Sequence, residues 1–251
     1  MIVRTRRIEV PMTADAKKVY LVLILFAYTL PFAFVYWAQQ HIATGLASIL
    51  FAAYPFFVAI FSQIMLKSES LNLFKVTGIV LGFIGIVVIF AGDIHVSEPR
   101  SVIAMGLILA NSLMQAYCLV LVKKFGQPLS PFAVNLVGMF WSGAALIGLS
   151  FAVESHVSIV WDTAAIGSII YLSTIGSVLV FVAYFWLLKR VEAVYLSLIS
   201  FITPIVAVIL GAVVLGEKLE TNVFIGAACV LVGLLIANGK AFYRRMSESV
   251  G

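Results

Sequence analysis

Charge is what this chain has least of. Asp, Glu, Lys and Arg make up 11% of its 251 residues and hydrophobic residues 63%, whereas soluble domains carry about 25% charged and about 45–50% apolar residues. That composition excludes a water-solvated globular protein. Cysteine is scarce as well. Cys118 and Cys229 both fall inside apolar stretches, where a free thiol behaves as a small hydrophobe and says nothing of redox compartment. The three histidines (His41, His95 and His156) are too scattered to suggest a metal site. Neither a nucleophile elbow, a P-loop, a zinc-ligand spacing nor an Asp-rich diphosphate motif occurs. The expectation is therefore no enzyme, no cofactor and no metal.

What is present is long uncharged sequence. Residues 19–38, 42–66, 76–92, 101–122, 131–153, 163–188, 193–215 and 221–239 contain no Asp, Glu, Lys or Arg. A helix crossing a bilayer needs about 20 mostly apolar residues, and all eight runs meet or nearly meet that length. The third is expected to start near Leu71, with Lys75 snorkelling to the interface. Buried soluble helices would need a polar face, and none of these runs has a broad one. The sequence thus predicts an all-α integral membrane protein with eight transmembrane helices. Arg4, Arg6 and Arg7 precede an apolar run long enough to stay in the membrane, and no cleavable signal is evident.

The net charge of +5 would suit nucleic acid, but its distribution argues otherwise. With the N-terminus in the cytoplasm, every one of the sixteen Lys and Arg residues except Arg100 and Lys218 falls in an inner segment. That asymmetry is the positive-inside signal, so both termini are expected in the cytoplasm and nucleic acid is excluded as a partner.

The chain also repeats. Pro55 and Pro204 lie 149 positions apart, and the same offset pairs Trp37 with Trp186 and Ser48 with Ser197. One residue is lost in the next loop, and at an offset of 148 Glu69 pairs with Glu217, Leu71 with Leu219, Gly78 with Gly226 and Gly85 with Gly233. Residues 19–93 and about 163–240 therefore read as two copies of a three-helix unit. One copy starts inside and the other outside, so they are inverted. The neutral linker "QQH" (39–41) against the cationic "LKR" (188–190) shows the same inversion. Inverted repeats are a common construction of secondary transporters, with substrate held near the midplane. Helices 101–122 and 131–153 precede the second copy only, giving 3 + 5 helices.

These features resemble the drug/metabolite transporter superfamily, and its EamA-type ten-helix members in particular. "LGEKLETNVFIGAACVLVGLLI" (215–236) is similar to that family's Gly-Glu-Lys-Leu loop and last helix. "VEAVYLSLISFITPIVAVILGAVVLGE" (191–217) resembles its penultimate helix, and "GLASILFAAYPFFVAIFSQIML" (45–66) the same helix of the first repeat. The loop "KSESL" departs from the pattern and keeps only Glu69 and Leu71. The resemblance implies a cytoplasmic basic segment (1–18), an incomplete first repeat (19–93), a second repeat (101–239) and a cytoplasmic basic tail (240–251). It also implies export or exchange of a small metabolite by alternating access in a plasma membrane, most simply the bacterial inner membrane. Against a 5 + 5 design, about 50 residues would be missing ahead of Met1, so the natural frame is expected to extend upstream or the chain to be a fragment.

Polar side chains in mid-span mark the expected cavity. Tyr28, Tyr54, Asn111, Gln115, Trp141, Ser173, Ser177, Ser200 and Thr203 are the substrate-binding candidates, and Pro55 and Pro204 the hinge candidates. Asn111 and Gln115 stand one turn apart on one helix face. Each proline removes a backbone donor, freeing a carbonyl at Phe51 or Ser200. Trp37 and Trp186 sit at span ends, where Trp suits the interface, and Glu69 and Glu217 precede helices whose dipoles favour a carboxylate. Helices 76–92 and 221–239 have almost nothing polar at their centres, which predicts peripheral supports packed through Gly78, Gly82 and Gly85. Without a membrane-embedded charge, phosphate-bearing substrates and cationic drugs are disfavoured. A neutral or zwitterionic metabolite, such as an amino acid, fits better. Efflux of another small molecule or drug by the same superfamily, or a non-transporting membrane protein, stays open. The expected partners are a small-molecule substrate and the lipid bilayer; no feature specifies an oligomeric state.

Overall fold

The computed structural model describes residues 10–42, 44–66, 71–89, 99–153, 162–215 and 221–249. Glu69, Glu217, His95 and His156 lie outside them. Among the described residues all regular structure is helical. Helix α1 is Ala14–Ala38, α2 Thr44–Phe51, α3 Tyr54–Met65, α4 Leu73–Ile89, α5 Pro99–Phe125 and α6 Pro131–Val153. Helix α7 comprises Thr163–Tyr171, Leu172–Leu179 and Val180–Leu188, followed by α8 (Ala193–Ser197), α9 (Ile199–Leu215) and α10 (Thr221–Ser249).

Two helix starts follow from their caps. Thr13 accepts a bond from the Ala16 N–H at 3.3 Å, so α1 begins a full turn before its apolar run. Asp162 accepts from the Ala165 N–H at 2.7 Å and starts α7. The stretches Ala14–Ala38, Leu46–Met65, Pro99–Phe125, Pro131–Ala152 and Ala165–Leu188 are long and apolar enough to cross a membrane. Leu73–Ile89, Ala193–Val206 and Thr221–Ala237 are apolar but shorter. The 17 residues of α4 rise about 26 Å, just under the roughly 30 Å hydrocarbon core. Over the most apolar 18 residues of Ala165–Leu188 no residue is buried. Such a surface would be an aggregation liability in water and is a lipid-facing surface in a bilayer.

The described chain forms two compact units, each drawing on both halves of the sequence. One is built from Met1–Ala33 with Leu121–Val191, the other from Phe34–Val120 with Glu192–Gly251.

In the first unit α6 packs against the middle of α1 and the end of α7. Neither α1 nor α7 is a plain α-helix. Leu23–Thr29 and Leu172–Leu179 are π-helical, with the Leu30 N–H bonding the Leu25 carbonyl and the Val180 N–H the Ile175 carbonyl, five residues back. The 149 offset that aligns the prolines carries residues 23–29 onto 172–178. Pro31 follows the first segment and denies the Ala27 carbonyl its usual donor. Val180 stands at the equivalent place in the second, so proline alone is not the cause. At the loop end, Lys123 donates to the carbonyls of Leu188 and Val191, both at 2.7 Å, and Lys189 to those of Gln127 and Leu129. These ammonium groups satisfy carbonyls at and beyond helix C-termini. Trp186 carries the Arg190 guanidinium over its ring at 3.7 Å.

In the second unit α4 and α10 pack backbone to backbone. A Cβ added at Gly78 would lie 2.5 Å from the Gly233 carbonyl oxygen, and one at Gly85 2.6 Å from that of Gly226. Only glycine permits that approach. The pairing is reciprocal: Gly78 and Gly85 meet the counterparts of each other, in antiparallel order. Two equivalent helices related by a two-fold axis across their direction make that contact, which is the geometry of an inverted repeat. Asn222 closes one end of the pair by donating to the Ile89 carbonyl at 3.3 Å.

Lys75 does not snorkel. Its side chain is buried, ion-paired with Glu192 and 5.1 Å from the centre of the Tyr195 ring. A buried ammonium is tolerated when a carboxylate and an aromatic face replace its water.

The prolines differ in setting. Pro55 lies in the first turn of α3, where no N–H is needed, and Ala52–Ala53 interrupt the helix before it. Pro204 is inside α9, while the interruption in that copy falls earlier, at Leu198.

Candidate functional site: a neutral polar cavity

Within the second unit lies a cavity of about 400 Å³. Its walls are four helical stripes. The end of α1 and the turn after it contribute Val35 and Gln39; α2 contributes Thr44, Ala47, Ser48 and Phe51; α5 contributes Ile108, Asn111 and Gln115; α9 contributes Ser200, Thr203 and Pro204. The spacings of three and four residues are those of single helix faces. Beside it, Ala38, Ile42, Leu46, Ala47, Ala104 and Ile108 form an apolar core that fixes α1, α2 and α5.

The chemistry of the walls is uncharged. Gln115 donates to the Asn111 side-chain oxygen at 2.7 Å. Such an amide pair uses one donor and one acceptor, so an NH₂ and a carbonyl remain for a ligand. Across from them the Ser200 hydroxyl is buried with no partner among the described residues. Pro204 has no N–H to offer the Ser200 carbonyl. Thr203 and Ser48 bond back to their own helices, at Ile199 and Thr44. Phe51 stacks on Tyr54 with ring centroids 5.5 Å apart, which sets one apolar wall.

Of the residues singled out in the sequence, Asn111, Gln115, Ser200, Thr203 and Pro204 come together here. Tyr54 and Pro55 are buried beside the cavity wall at the start of α3. Tyr28 and Ser177 lie in the first unit, where the Tyr28 hydroxyl donates to Asn135 and Asn135 donates to the Ser177 carbonyl. Trp141 is exposed beside Phe140, and Ser173 is exposed and bonded to the Ile170 carbonyl. Sequence reasoning passed over Gln39 and Thr44, because both sit beside a presumed interface loop. One turn down from Thr44 stands Ser48, a period that would have found them. Asn135 was missed because one amide in an apolar helix gives no pattern.

An all-helical apolar fold around an uncharged polar cavity is the architecture of a membrane transporter. The chain belongs to the EamA-like transporter family, which matches residues 2–91 and 102–239. It is 24% identical to the uncharacterized transporter YoaV of Bacillus subtilis (strain 168), over 83% of this chain and 71% of that protein. An uncharacterized transporter of Archaeoglobus fulgidus is 27% identical over 88% of this chain and 77% of its own. The uncharacterized inner membrane transporter YedA of Escherichia coli (strain K12) is 24% identical, over 82% and 65%. A solved structure superposes with a TM-score of 0.81 at 20% identity, covering 98% of this chain and 83% of that one, which shows a shared fold.

Proposed function

We propose that this transporter exports a small neutral or zwitterionic metabolite, such as an amino acid, from the cytoplasm of a bacterium by alternating access. The observation that carries the reading is the cavity: about 400 Å³, at the small end of the roughly 300–1,000 Å³ range of ligand sites, with amides and hydroxyls on its walls and no ionisable side chain. Amides and hydroxyls can replace the hydration of ammonium, carboxylate or carboxamide groups. They supply no counter-charge for a phosphate or an organic cation. The apolar residues Val35, Ala47, Phe51, Ile108 and Pro204 favour a second reading, efflux of compact drug-like molecules.

Efflux of a radiolabelled amino-acid panel from preloaded cells, with and without the protein, separates the two. Amino-acid efflux should rise with the protein, and Asn111→Leu and Gln115→Leu should each lower it at least about tenfold, the penalty for one lost polar partner. Thr77→Val, at an exposed residue bonded only to its own helix, should leave it unchanged. Unchanged accumulation of every amino acid, with resistance to uncharged toxic compounds, would favour the second reading. Normal efflux by both Leu variants would move the site elsewhere.

A further inference from the structure

The two π-helical segments of the first unit are joined through a single side chain. Tyr28 ends the first segment but for Thr29, and the 149 offset carries it onto Ser177 in the second. Both equivalent positions meet Asn135 of α6: the Tyr28 hydroxyl donates to Oδ1 at 3.2 Å, and Nδ2 donates to the Ser177 carbonyl at 3.3 Å. Asn135 is 3% exposed and Tyr28 1% exposed, so water cannot substitute for either bond. The contact is shaped for this residue. A Cβ at Gly138, one turn beyond Asn135, would fall 2.6 Å from the Tyr28 ring, which also packs against Phe181, one turn beyond Ser177, at a centroid distance of 5.5 Å. A separate bond, from the Ser142 hydroxyl to the Ile24 carbonyl at 3.0 Å, holds the first segment only.

A π-helical turn carries one residue more than an α turn and leaves carbonyls poorly aligned with their own helix. Such turns are frequent at functional sites. In lipid their loosened carbonyls need partners from neighbouring helices. Here α6 provides them: Ser142 bonds the Ile24 carbonyl and Asn135 the Ser177 carbonyl.

We propose that Asn135 is the positioning residue that couples the two π-helical segments, holding them in one conformation and making them yield together during transport. Its two bonds are interdependent. Tyr28 turns the amide so that Nδ2 faces Ser177; without that bond the amide is free to rotate and the second segment loses its anchor. A structural filler would not behave so, because a change on α1 would then be felt on α1 alone. This proposal rests on the chain being a transporter only for its role in the cycle; its test needs no substrate.

Hydrogen exchange by mass spectrometry on the full chain in lipid nanodiscs provides the test. Tyr28→Phe keeps the ring and its Phe181 contact and removes only the hydroxyl. It should speed exchange in residues 172–179 roughly fivefold, the ratio set by one net hydrogen bond, because the amide it releases also anchors the Ser177 carbonyl. Asn135→Leu should speed both 23–29 and 172–179, and Ser142→Ala only 23–29. Wild-type exchange at 172–179 in Tyr28→Phe would overturn the proposal. So would an Asn135→Leu protein in which one segment alone loosens. Acceleration spread equally over all helices, α4 and α10 included, would likewise overturn it, since Asn135 would then serve general stability.

Discussion

At the scale of single residues, the buried polar atoms that lack a partner divide into two kinds. Ser62 and Ser200 both carry a buried hydroxyl with no hydrogen bond among the described residues, but only Ser200 lines the cavity. An unpaired buried hydroxyl costs about 1–3 kcal/mol, so replacing either by Ala should raise the detergent thermal-unfolding midpoint. If the Ser200 hydroxyl is kept for a ligand, Ser200→Ala should also lower transport, whereas Ser62→Ala should not; a Ser200→Ala protein that is stabilised and fully active would remove Ser200 from the site. Lys75 and Glu192 allow a similar separation. The Lys75 side chain is 4% exposed and that of Glu192 39%. Glu192→Gln strands a buried ammonium and should cost roughly 3 kcal/mol; Lys75→Met leaves a carboxylate that water can reach and should cost less than about 1 kcal/mol. Unfolding midpoints in detergent that fall equally would contradict this asymmetry. Residue identity announced Asn111 and Gln115 as candidates because amides are costly in lipid. It could not announce that Lys75 is buried, because its partner is 117 positions away.

At the scale of elements, the helices were legible and their interiors were not. Hydrophobic run length placed the apolar spans, but not the breaks at Ala52–Ala53 and Leu198 or the extra turns at polar ends, such as the one Thr13 starts. The glycine pairs predicted close packing, and the reciprocal contacts of Gly78 with Gly233 and Gly85 with Gly226 identify the partner. Gly85→Ala should therefore push α4 and α10 apart and cost about 1–3 kcal/mol. Gly143→Ala, whose Cβ would meet nothing within 4 Å, should cost nothing. Equal unfolding midpoints for the two variants would argue against the close crossing. The π-helical segments had no such signal. "LILFAYT" and "LSTIGSVL" carry no pattern that marks a π-helical turn, and the bonds α6 makes to them lie outside local propensity.

For the whole molecule, the placement of the cations predicts orientation. A reporter at Gly126 should be active in the cytoplasm and one at Gln40 outside it; the reverse pattern would invert the topology. Two of those cations also have structural roles, since Lys123 and Lys189 bind the carbonyls of the Leu188–Val191 and Gln127–Leu129 turns. Neutralising either should loosen that turn as well as weaken the orientation signal. What the sequence alone determined about this protein is its solvent and its apolar spans. These follow from the length of apolar runs, a property of the chain read along its own length. Only the tertiary structure decided that four helix faces enclose one neutral cavity, that Lys75 finds Glu192, and that Asn135 spans two matched π-helical segments. Each of these depends on side chains far apart in sequence meeting at distances of a few ångströms, and no local pattern sets those distances.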